Sequence, residues 1–151
     1  GNIDVVSNTG DAYGVYAGTD YGAASVTVVG DITVDAYGDD TGDTAYGVYV
    51  DAATDATVNV TGDIDVGAGD GVAFGIYVDT GTGAADITVE GDITASAAYG
   101  ATGIYAYGYT SATVDVTGDI TVYANANDAY GIDAYAQNGD VNVTVEGNVD
   151  V

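Results

Sequence analysis

An internal repeat is the feature that most constrains the fold of this chain, because repeated units of this kind bury their apolar faces against each other. A Gly-Asp-Ile motif, or a close variant of it, recurs throughout the 151 residues. Alignment on this motif divides the single domain 1–151 into five units and the start of a sixth. The units span 1–29, 30–61, 62–90, 91–117, 118–146 and 147–151. Their lengths differ only within segments rich in Gly, Asp and Thr, which are typical of loops.

A first strand signal straddles each unit boundary. In VNVTGDIDV at 58–66, apolar residues occupy every second position on either side of the motif glycine. Alternation with a period of two indicates strands that bury one face and expose the other. The glycine falls on the buried parity, where a bend or a close backbone approach would require it. We therefore expect two short strands joined at a corner.

A second strand signal is a six-residue phrase with glycine at its third position. Its copies are AYGVYA at 12–17, AYGVYV at 45–50, AFGIYV at 73–78, ATGIYA at 101–106 and AYGIDA at 129–134. Strict alternation through AYGVYV predicts that Tyr46 and Val48 point into the core, while Gly47 and Tyr49 face solvent. The aromatic residues expected in the core are then Tyr13, Tyr46, Phe74 and Tyr130.

About three short strands in each unit of roughly 29 residues, without helical periodicity, predict an all-β fold. We expect a parallel β-solenoid (a right-handed β-helix) of about five coils, in which each unit forms one coil. Equivalent strands would stack about 4.8 Å apart and give a rod roughly 24 Å long. A β-propeller is disfavoured, because a propeller blade needs about 40 residues and four strands.

The charge of the chain is entirely negative, with 24 acidic residues and no Lys, Arg or His. Such a chain repels nucleic acid and anionic membrane surfaces. Mechanisms that need a basic residue or a His-activated nucleophile are excluded. Every Asp that could form a glycosidase-type pair belongs to a repeated column or a turn. We therefore expect no enzymatic activity, and no apolar run is long enough for a transmembrane helix.

One column of acidic residues follows the motif glycine, with Asn2 and Asn148 at its ends. Its members are Asp31, Asp63, Asp92 and Asp119. Stacked carboxylates about 4.8 Å apart repel by roughly 0.9 kcal/mol per pair in water. Two interpretations are open: each Asp caps its own corner through an Asx-type hydrogen bond, or Ca²⁺ bridges carboxylates here or in the loops. The loop carboxylates are Asp39, Asp40, Asp43 and Asp70.

A column of outward tyrosines also follows from strict alternation in the second strand signal. It consists of Tyr16, Tyr49, Tyr77 and Tyr105, and is interrupted by Asp133 in the fifth unit. Stacked aromatic rings stabilise a sheet by about 0.5–1.5 kcal/mol per pair. The same rings would also suit a cell-surface glycan, because sugar rings pack on aromatic faces. A structural ladder and a glycan-binding module are both open interpretations.

The repeat text GDITV, followed by AYGVY or AYGIDAYA and then VNVT, resembles the passenger regions of bacterial autotransporters and related large surface adhesins. The resemblance covers the whole chain and implies a secreted, surface-displayed β-helix that is often adhesive. The lack of Lys and Arg departs from typical members. It also leaves no cleavage site for trypsin-like proteases, which suits an extracellular location.

The expected function is that of an extracellular structural or adhesive rod, a repeat segment of a surface adhesin or fibre. The alternative is a filament subunit that stacks head to tail. Divalent cations would reduce the repulsion between stacked copies, each of which carries a charge of −24. This alternative arises because the chain begins with GNIDV and ends with GNVDV, which are copies of the same part of the repeat unit. Flanking repeats of the same polypeptide could cover these ends instead, since a chain without Met is a processed product or part of a longer one. The apolar residues expected at the axial contact are Ile3, Val5, Val149 and Val151.

Overall fold

The computed structural model describes residues 1–38 and 42–151. Within this part of the chain it contains sixteen β-strands and no helix. In chain order the strands are β1 Ile3–Ser7, β2 Ala12–Thr19, β3 Ala24–Val29, β4 Ile32–Ala36, β5 Thr44–Ala52, β6 Ala56–Thr61, β7 Ile64–Ala68, β8 Val72–Thr80, β9 Ala84–Glu90, β10 Ile93–Ala97, β11 Gly100–Gly108, β12 Ser111–Thr117, β13 Ile120–Ala124, β14 Ala129–Ala136, β15 Val141–Glu146 and β16 Val149–Asp150.

The strands form three parallel sheets that run along the axis of the molecule. The first sheet has the order β1-β4-β7-β10-β13-β16, the second β2-β5-β8-β11-β14 and the third β3-β6-β9-β12-β15. Every strand therefore pairs with its equivalent one coil away. Hydrogen bonds between equivalent corners join residues 29, 32, 29, 27 and 29 positions apart, which are the lengths of the five repeat units. The predicted all-β parallel solenoid of about five coils is confirmed.

The core consists of inward ladders in which Ile, Val and Ala stack on their equivalents. In the first sheet, Ile64 lies between Ile32 and Ile93 and is 1% exposed. Alternation in the strands turns these side chains inward, and branched side chains pack well on a pleated surface. Each buried Ile or Val stabilises the fold by about 1.5–3 kcal/mol relative to an exposed one. The three sheets thus enclose one continuous apolar core.

A glycine with positive φ turns the chain from the third sheet into the first. Four coils share this feature at Gly30, Gly62, Gly91 and Gly118, with φ between 129° and 151°. Residues with a side chain rarely adopt this conformation. A Cβ at Gly62 would also collide with the carbonyl oxygen of Gly30 in the neighbouring coil. The predicted corner between two short strands is confirmed, and conformation and space both require glycine there.

The second sheet departs from strict alternation at its glycine, so the prediction for this strand is right for Val48 and Tyr49 and wrong for Tyr46 and Gly47. In β5, Gly47 and Val48 are both buried. Tyr46 and Tyr49 flank them on the outer side of the sheet. A Cβ at Gly47 would lie 2.8 Å from Cγ2 of Ile64 across the core, so only glycine allows the backbone to face inward here. The aromatic residues wrongly assigned to the core are Tyr13, Tyr46, Phe74 and Tyr130.

The inward glycine generates a test of this packing. A Cβ at Gly75 would lie 2.5 Å from the carbonyl oxygen of Gly103 and 2.7 Å from Cγ2 of Ile93. We expect Gly75→Ala to lower the free energy of unfolding by about 1–3 kcal/mol, because overpacking forces the coils apart. Urea unfolding followed by circular dichroism measures this loss.

The matched control is Gly100→Ala in β11. A Cβ there would meet nothing closer than the carbonyl oxygen of Asp128 at 3.5 Å, which is an ordinary contact. We expect a change within about 0.5 kcal/mol. Equal losses for the two variants would contradict the close packing assigned to the inward glycine.

Candidate functional site

Two columns of residues run side by side along the outer face of the second sheet. The first column contains Tyr13, Tyr46, Phe74, Thr102 and Tyr130. The second column contains Tyr16, Tyr49, Tyr77, Tyr105 and Asp133. They share a face because the glycine and the Val or Ile that follows it both point inward, which shifts the alternation by one position. We call the two columns together the double aromatic ladder.

The aromatic rings are parallel within each column and nearly perpendicular between the columns. The ring centroids of Tyr13 and Tyr46 lie 5.0 Å apart with 8° between their planes. Those of Tyr49 and Tyr77 lie 5.0 Å apart with 2° between planes. Across the columns, Tyr46 meets Tyr49 edge to face at 5.0 Å and 80°. Both geometries suit the ring quadrupole and contribute about 0.5–1.5 kcal/mol per pair, so the ladder strengthens the stacking of coils from outside the core.

Ring faces in the second column of the ladder are turned toward neighbouring rings. In the second column, successive centroids lie between 4.7 and 5.2 Å apart from Tyr16 to Tyr105. No sugar ring fits between rings at this spacing, so along the length of the column a glycan would meet ring edges and hydroxyl groups. Open ring faces remain only at the two ends of the column. This geometry favours the structural role of the tyrosines over the glycan-binding role.

Several phenols of the ladder have a pKa above the ordinary value of tyrosine. Burial, reinforced by the adjoining phenols, raises the pKa of Tyr46 to about 12. Burial also raises the pKa of Tyr49, Tyr77 and Tyr105, and the Asp79 carboxylate adds to this effect. The rings therefore stay neutral over a wide pH range, which avoids adding stacked phenolates to a chain of charge −24.

The acidic column forms a ladder of hydrogen bonds along the corner between the third and first sheets. Oδ1 of Asp63 accepts the backbone N–H of Asp92 at 2.9 Å, and Oδ1 of Asp92 accepts that of Asp119 at 2.8 Å. Asn2 and Asn148 continue the pattern at the two ends. Each side chain thus binds the neighbouring coil, and the predicted Asx-type cap of its own corner is wrong. Parallel stacking brings the next coil's N–H within reach of the short Asp side chain.

Backbone N–H groups donate hydrogen bonds to the carboxylates of this column, in place of the Lys and Arg side chains that the chain lacks. Hydrogen bonds to charged groups contribute about 1.5–3 kcal/mol, and less at an exposed corner such as this one. Repulsion between neighbouring carboxylates costs roughly 0.9 kcal/mol in water. The Asn amides add donors at the ends: Nδ2 of Asn2 donates to Asp31 at 3.1 Å, and Nδ2 of Asn148 donates to Asp119 at 3.1 Å. The ladder of N–H groups therefore offsets the repulsion of the column.

Of the loop carboxylates predicted as calcium ligands, the structure describes Asp43 and Asp70. Asp39 and Asp40 lie outside the described residues. Asp43 accepts the backbone N–H of Val72 through its own carbonyl oxygen at 3.1 Å, and Asp70 is exposed in a bend between β7 and β8. In residues 1–38 and 42–151, no three acidic side chains converge in an arrangement suited to a metal ion. The involvement of Ca²⁺ remains a prediction.

Two further aspartates connect coils in the loops, and the sequence analysis missed both. Oδ1 of Asp11 accepts the backbone N–H of Thr44 at 2.8 Å. Oδ1 of Asp55 accepts that of Ala84 at 2.9 Å. Both aspartates immediately precede a strand and bind the first residue of the equivalent strand in the next coil. The available signal was that Asp recurs at this place in several coils, as at Asp11, Asp55, Asp128 and Asp140.

The residues predicted for axial contact lie in the two terminal coils. Ile3 and Val5 are partly buried against the core, whereas Val149 and Val151 are 49% and 63% exposed. Equivalent positions in the central coils are covered from both sides, as Ile64 is. A further coil stacked on either end would bury these side chains.

Two depressions of the outer surface each lie where a small residue interrupts a column of larger ones. One, of about 390 Å³, lies over Gly67 of the first sheet, with Tyr37 and Tyr123 at its rim. The other, of about 340 Å³, lies over Thr102 of the second sheet, within the first column of the double aromatic ladder.

Comparison with known proteins finds no matching family model, no similar curated protein and no similar solved structure. The solenoid is therefore shown by the architecture of the chain itself, and its resemblance to surface adhesins rests on the repeat text. In the part of the chain that the structure describes, no helix is long and apolar enough to span a membrane.

The aspartate ladder predicts opposite effects for two substitutions of one residue. Asp92→Ala leaves the N–H of Asp119 without its acceptor, so we expect a loss of about 0.5–1.5 kcal/mol in the free energy of unfolding. Asp92→Asn keeps an acceptor oxygen, as Asn2 does, and removes repulsion of roughly 0.9 kcal/mol with each neighbour. It should match or exceed the parent protein in stability.

Chemical denaturation at low and high salt measures both effects, with Asp115→Ala on the exposed third sheet as the control for loss of a charge. The advantage of Asp92→Asn over the parent should shrink at high salt, where surface repulsion is screened. Equal destabilisation by Asp92→Asn and Asp92→Ala would contradict the assigned role of the acceptor oxygen.

The raised phenol pKa values predict a loss of stability in alkali. For Tyr46 the folded-state pKa of about 12 lies above the ordinary value of 10.0. The contribution of the neutral Tyr46 phenol to the free energy of unfolding is therefore fully present below pH 10 and is lost as the pH rises through about 12. Tyr46→Phe keeps the ring and removes the ionising group. We expect its melting temperature to fall less over this pH range than that of the parent protein. Tyr21→Phe, at a residue that is 97% exposed, is the control. A fall in melting temperature in alkali that is as large in Tyr46→Phe as in the parent would refute the role assigned to the Tyr46 phenol.

Proposed function

We propose that the chain is a structural rod segment of an extracellular, surface-displayed protein of the adhesin or fibre type. The observation that supports this proposal is the continuity of the ladders. All three sheets, the aspartate ladder and most of the double aromatic ladder join each coil to the next along one axis. A molecule held together by repeated axial contacts is suited to keeping two points a fixed distance apart.

The outer surface also suits an exposed extracellular rod. One outward column of the third sheet is polar in every coil, at Thr27, Asn59, Thr88, Asp115 and Thr144. The net charge of −24 opposes aggregation of rods side by side. The absence of Lys and Arg removes every bond that trypsin-like proteases cleave. These properties support display outside the cell, and the repeat text supports the adhesin type.

Labelling of intact cells tests the proposed location. Antibodies raised against the folded chain should label cells of the source organism without permeabilisation. Trypsin treatment should leave the epitopes of this segment intact while degrading other surface proteins. Labelling that requires permeabilisation would contradict the proposal.

The rod itself is tested by adding whole coils. A second copy of residues 62–117, inserted after Thr117, should lengthen the particle by about 9.6 Å without widening it, because two coils add two strand spacings. Small-angle X-ray scattering measures both dimensions. An unchanged length with a wider cross-section would show that the inserted coils do not stack.

Head-to-tail stacking is a second candidate, favoured by the polarity of the aspartate ladder. In every rung the side chain of one coil accepts an N–H from the following coil. A coil from a second copy, or from a flanking repeat of the same polypeptide, would continue the same pattern. Electron microscopy and sedimentation of residues 1–151, with and without Ca²⁺, separate the two: single rods in both conditions would argue against stacking between copies.

A further inference from the structure

The first column of the double aromatic ladder lacks one ring. Thr102 is in register with Phe74 on one side and with Tyr130 on the other. The fourth coil thus carries a hydroxyl and a methyl group where the other coils carry an aromatic ring. The 340 Å³ depression over Thr102 is lined by both flanking rings and by Tyr99. We call it the ring slot.

The register of the first column leaves one vacant ring position between Phe74 and Tyr130. Successive centroids in the first column lie 5.0 Å apart from Tyr13 to Tyr46 and 5.3 Å apart from Tyr46 to Phe74. Phe74 and Tyr130 are two coils apart, so a ring placed between them would lie about 5 Å from each. An apolar cavity of about 150 Å³ already accommodates benzene. The slot therefore has room for one ring and a short substituent.

A ring in the slot would also gain a contact with the second column. Tyr13, Tyr46 and Phe74 each meet the tyrosine of their own coil edge to face, at 5.6, 5.0 and 5.4 Å. Tyr105 stacks on Tyr77 at 4.7 Å, but Thr102 provides no ring in its coil. An inserted ring would make two parallel contacts and one edge contact, of the kinds that Tyr46 makes with Tyr13, Phe74 and Tyr49.

The charge around the ring slot selects among aromatic ligands. The residues that line it include Asp128 and Asn127. Asp128 lies close enough to Tyr130 for its charge to raise the pKa of that phenol. The chain contains no basic side chain to neutralise this carboxylate. A positive group is attracted both by Asp128 and by the faces of the flanking rings.

We propose that the ring slot binds a planar aromatic ring, and binds it most tightly when the ring carries a cationic amine. The ring would stack between Phe74 and Tyr130, and the amine would donate to Asp128. A free aromatic amine and an aromatic residue beside Lys in a peptide share this chemistry. Tyramine and the dipeptide acetyl-Lys-Tyr-amide distinguish the two sources by their relative affinities.

Four probes of similar size test the proposal by titration calorimetry and saturation-transfer NMR. Tyramine carries a cation, 4-methylphenol is neutral, 3-(4-hydroxyphenyl)propionate carries an anion, and 2-cyclohexylethylamine carries a cation on a saturated ring. We expect tyramine to bind about tenfold more tightly than the saturated amine, the equivalent of about 1.4 kcal/mol for lost stacking. Affinity should fall in the order tyramine, 4-methylphenol, 3-(4-hydroxyphenyl)propionate. The differences in affinity between these three probes should shrink at high salt. Equal binding of tyramine and 2-cyclohexylethylamine would overturn the proposal.

Variants of the slot locate the binding. Thr102→Tyr supplies the missing ring, so it should raise the melting temperature and weaken tyramine binding by about tenfold or more. Thr102→Val leaves the slot open and should bind tyramine as the parent does. Tyr130→Ser removes one wall of the slot, at a side chain that is 48% exposed. It should weaken tyramine binding, and this test holds even if Thr102→Tyr fails to fold.

The second depression provides the matched control. Tyr123→Ser removes an aromatic wall from the depression over Gly67 and should leave tyramine binding unchanged. Unchanged binding in both Thr102→Tyr and Tyr130→Ser, or its loss in Tyr123→Ser, would place the ligand elsewhere and overturn the proposal.

Discussion

Parallel pairing of every strand with its equivalent one coil away is the interaction on which the rest of the structure depends. Because the three sheets keep the same register, each side chain meets the equivalent side chain of the next coil at the strand spacing of about 4.8 Å. In the core and in most of the ladder columns, similar residues therefore stack on each other. This rule is favourable for Ile, Val and Tyr, whose mutual contacts are attractive, and the apolar core and the double aromatic ladder both result from it.

The same rule penalises carboxylates, and the chain overcomes this penalty with backbone rather than side-chain donors. An Asp side chain is short enough to accept the N–H of the next coil directly, as Asp63 does from Asp92. The longer side chain of Glu would place its carboxylate beyond that N–H. Only Glu90 and Glu146 are Glu in this chain, and neither belongs to the corner column. The preference for Asp in the corner column is thus explained by reach, and this column needs no counterion from a Lys or Arg side chain.

The parts of the structure that were predictable from the sequence are those that depend on one coil and its copies. The repeat fixes the unit lengths, and alternation around Gly62 reveals two strands and a corner. The outward position of Tyr46 was not predictable in this way. It depends on the contact between Gly47 and the Cγ2 methyl of Ile64, which belong to different sheets. Period-two alternation contains no information about a neighbouring sheet, so the inward glycine was invisible to it. The aspartate ladder was missed for a related reason, since an Asx turn is local and the real partner lies 29 residues away.

Uniform columns stabilise a repetitive rod, but they distinguish no point along it from any other. A ligand that recognises one place on the surface must therefore use a position at which the repeat fails. Three positions in the outer columns show such a failure: Thr102 replaces a ring, Gly67 lies between larger side chains, and Asp133 replaces a tyrosine. The two depressions lie over the first two of these positions. The third sets a carboxylate beside Tyr105, at the end of the second column. Binding by a solenoid of this kind is thus determined less by its motif than by the exceptions to that motif, since only an exception leaves a ring face, a cavity or a charge without its usual neighbour.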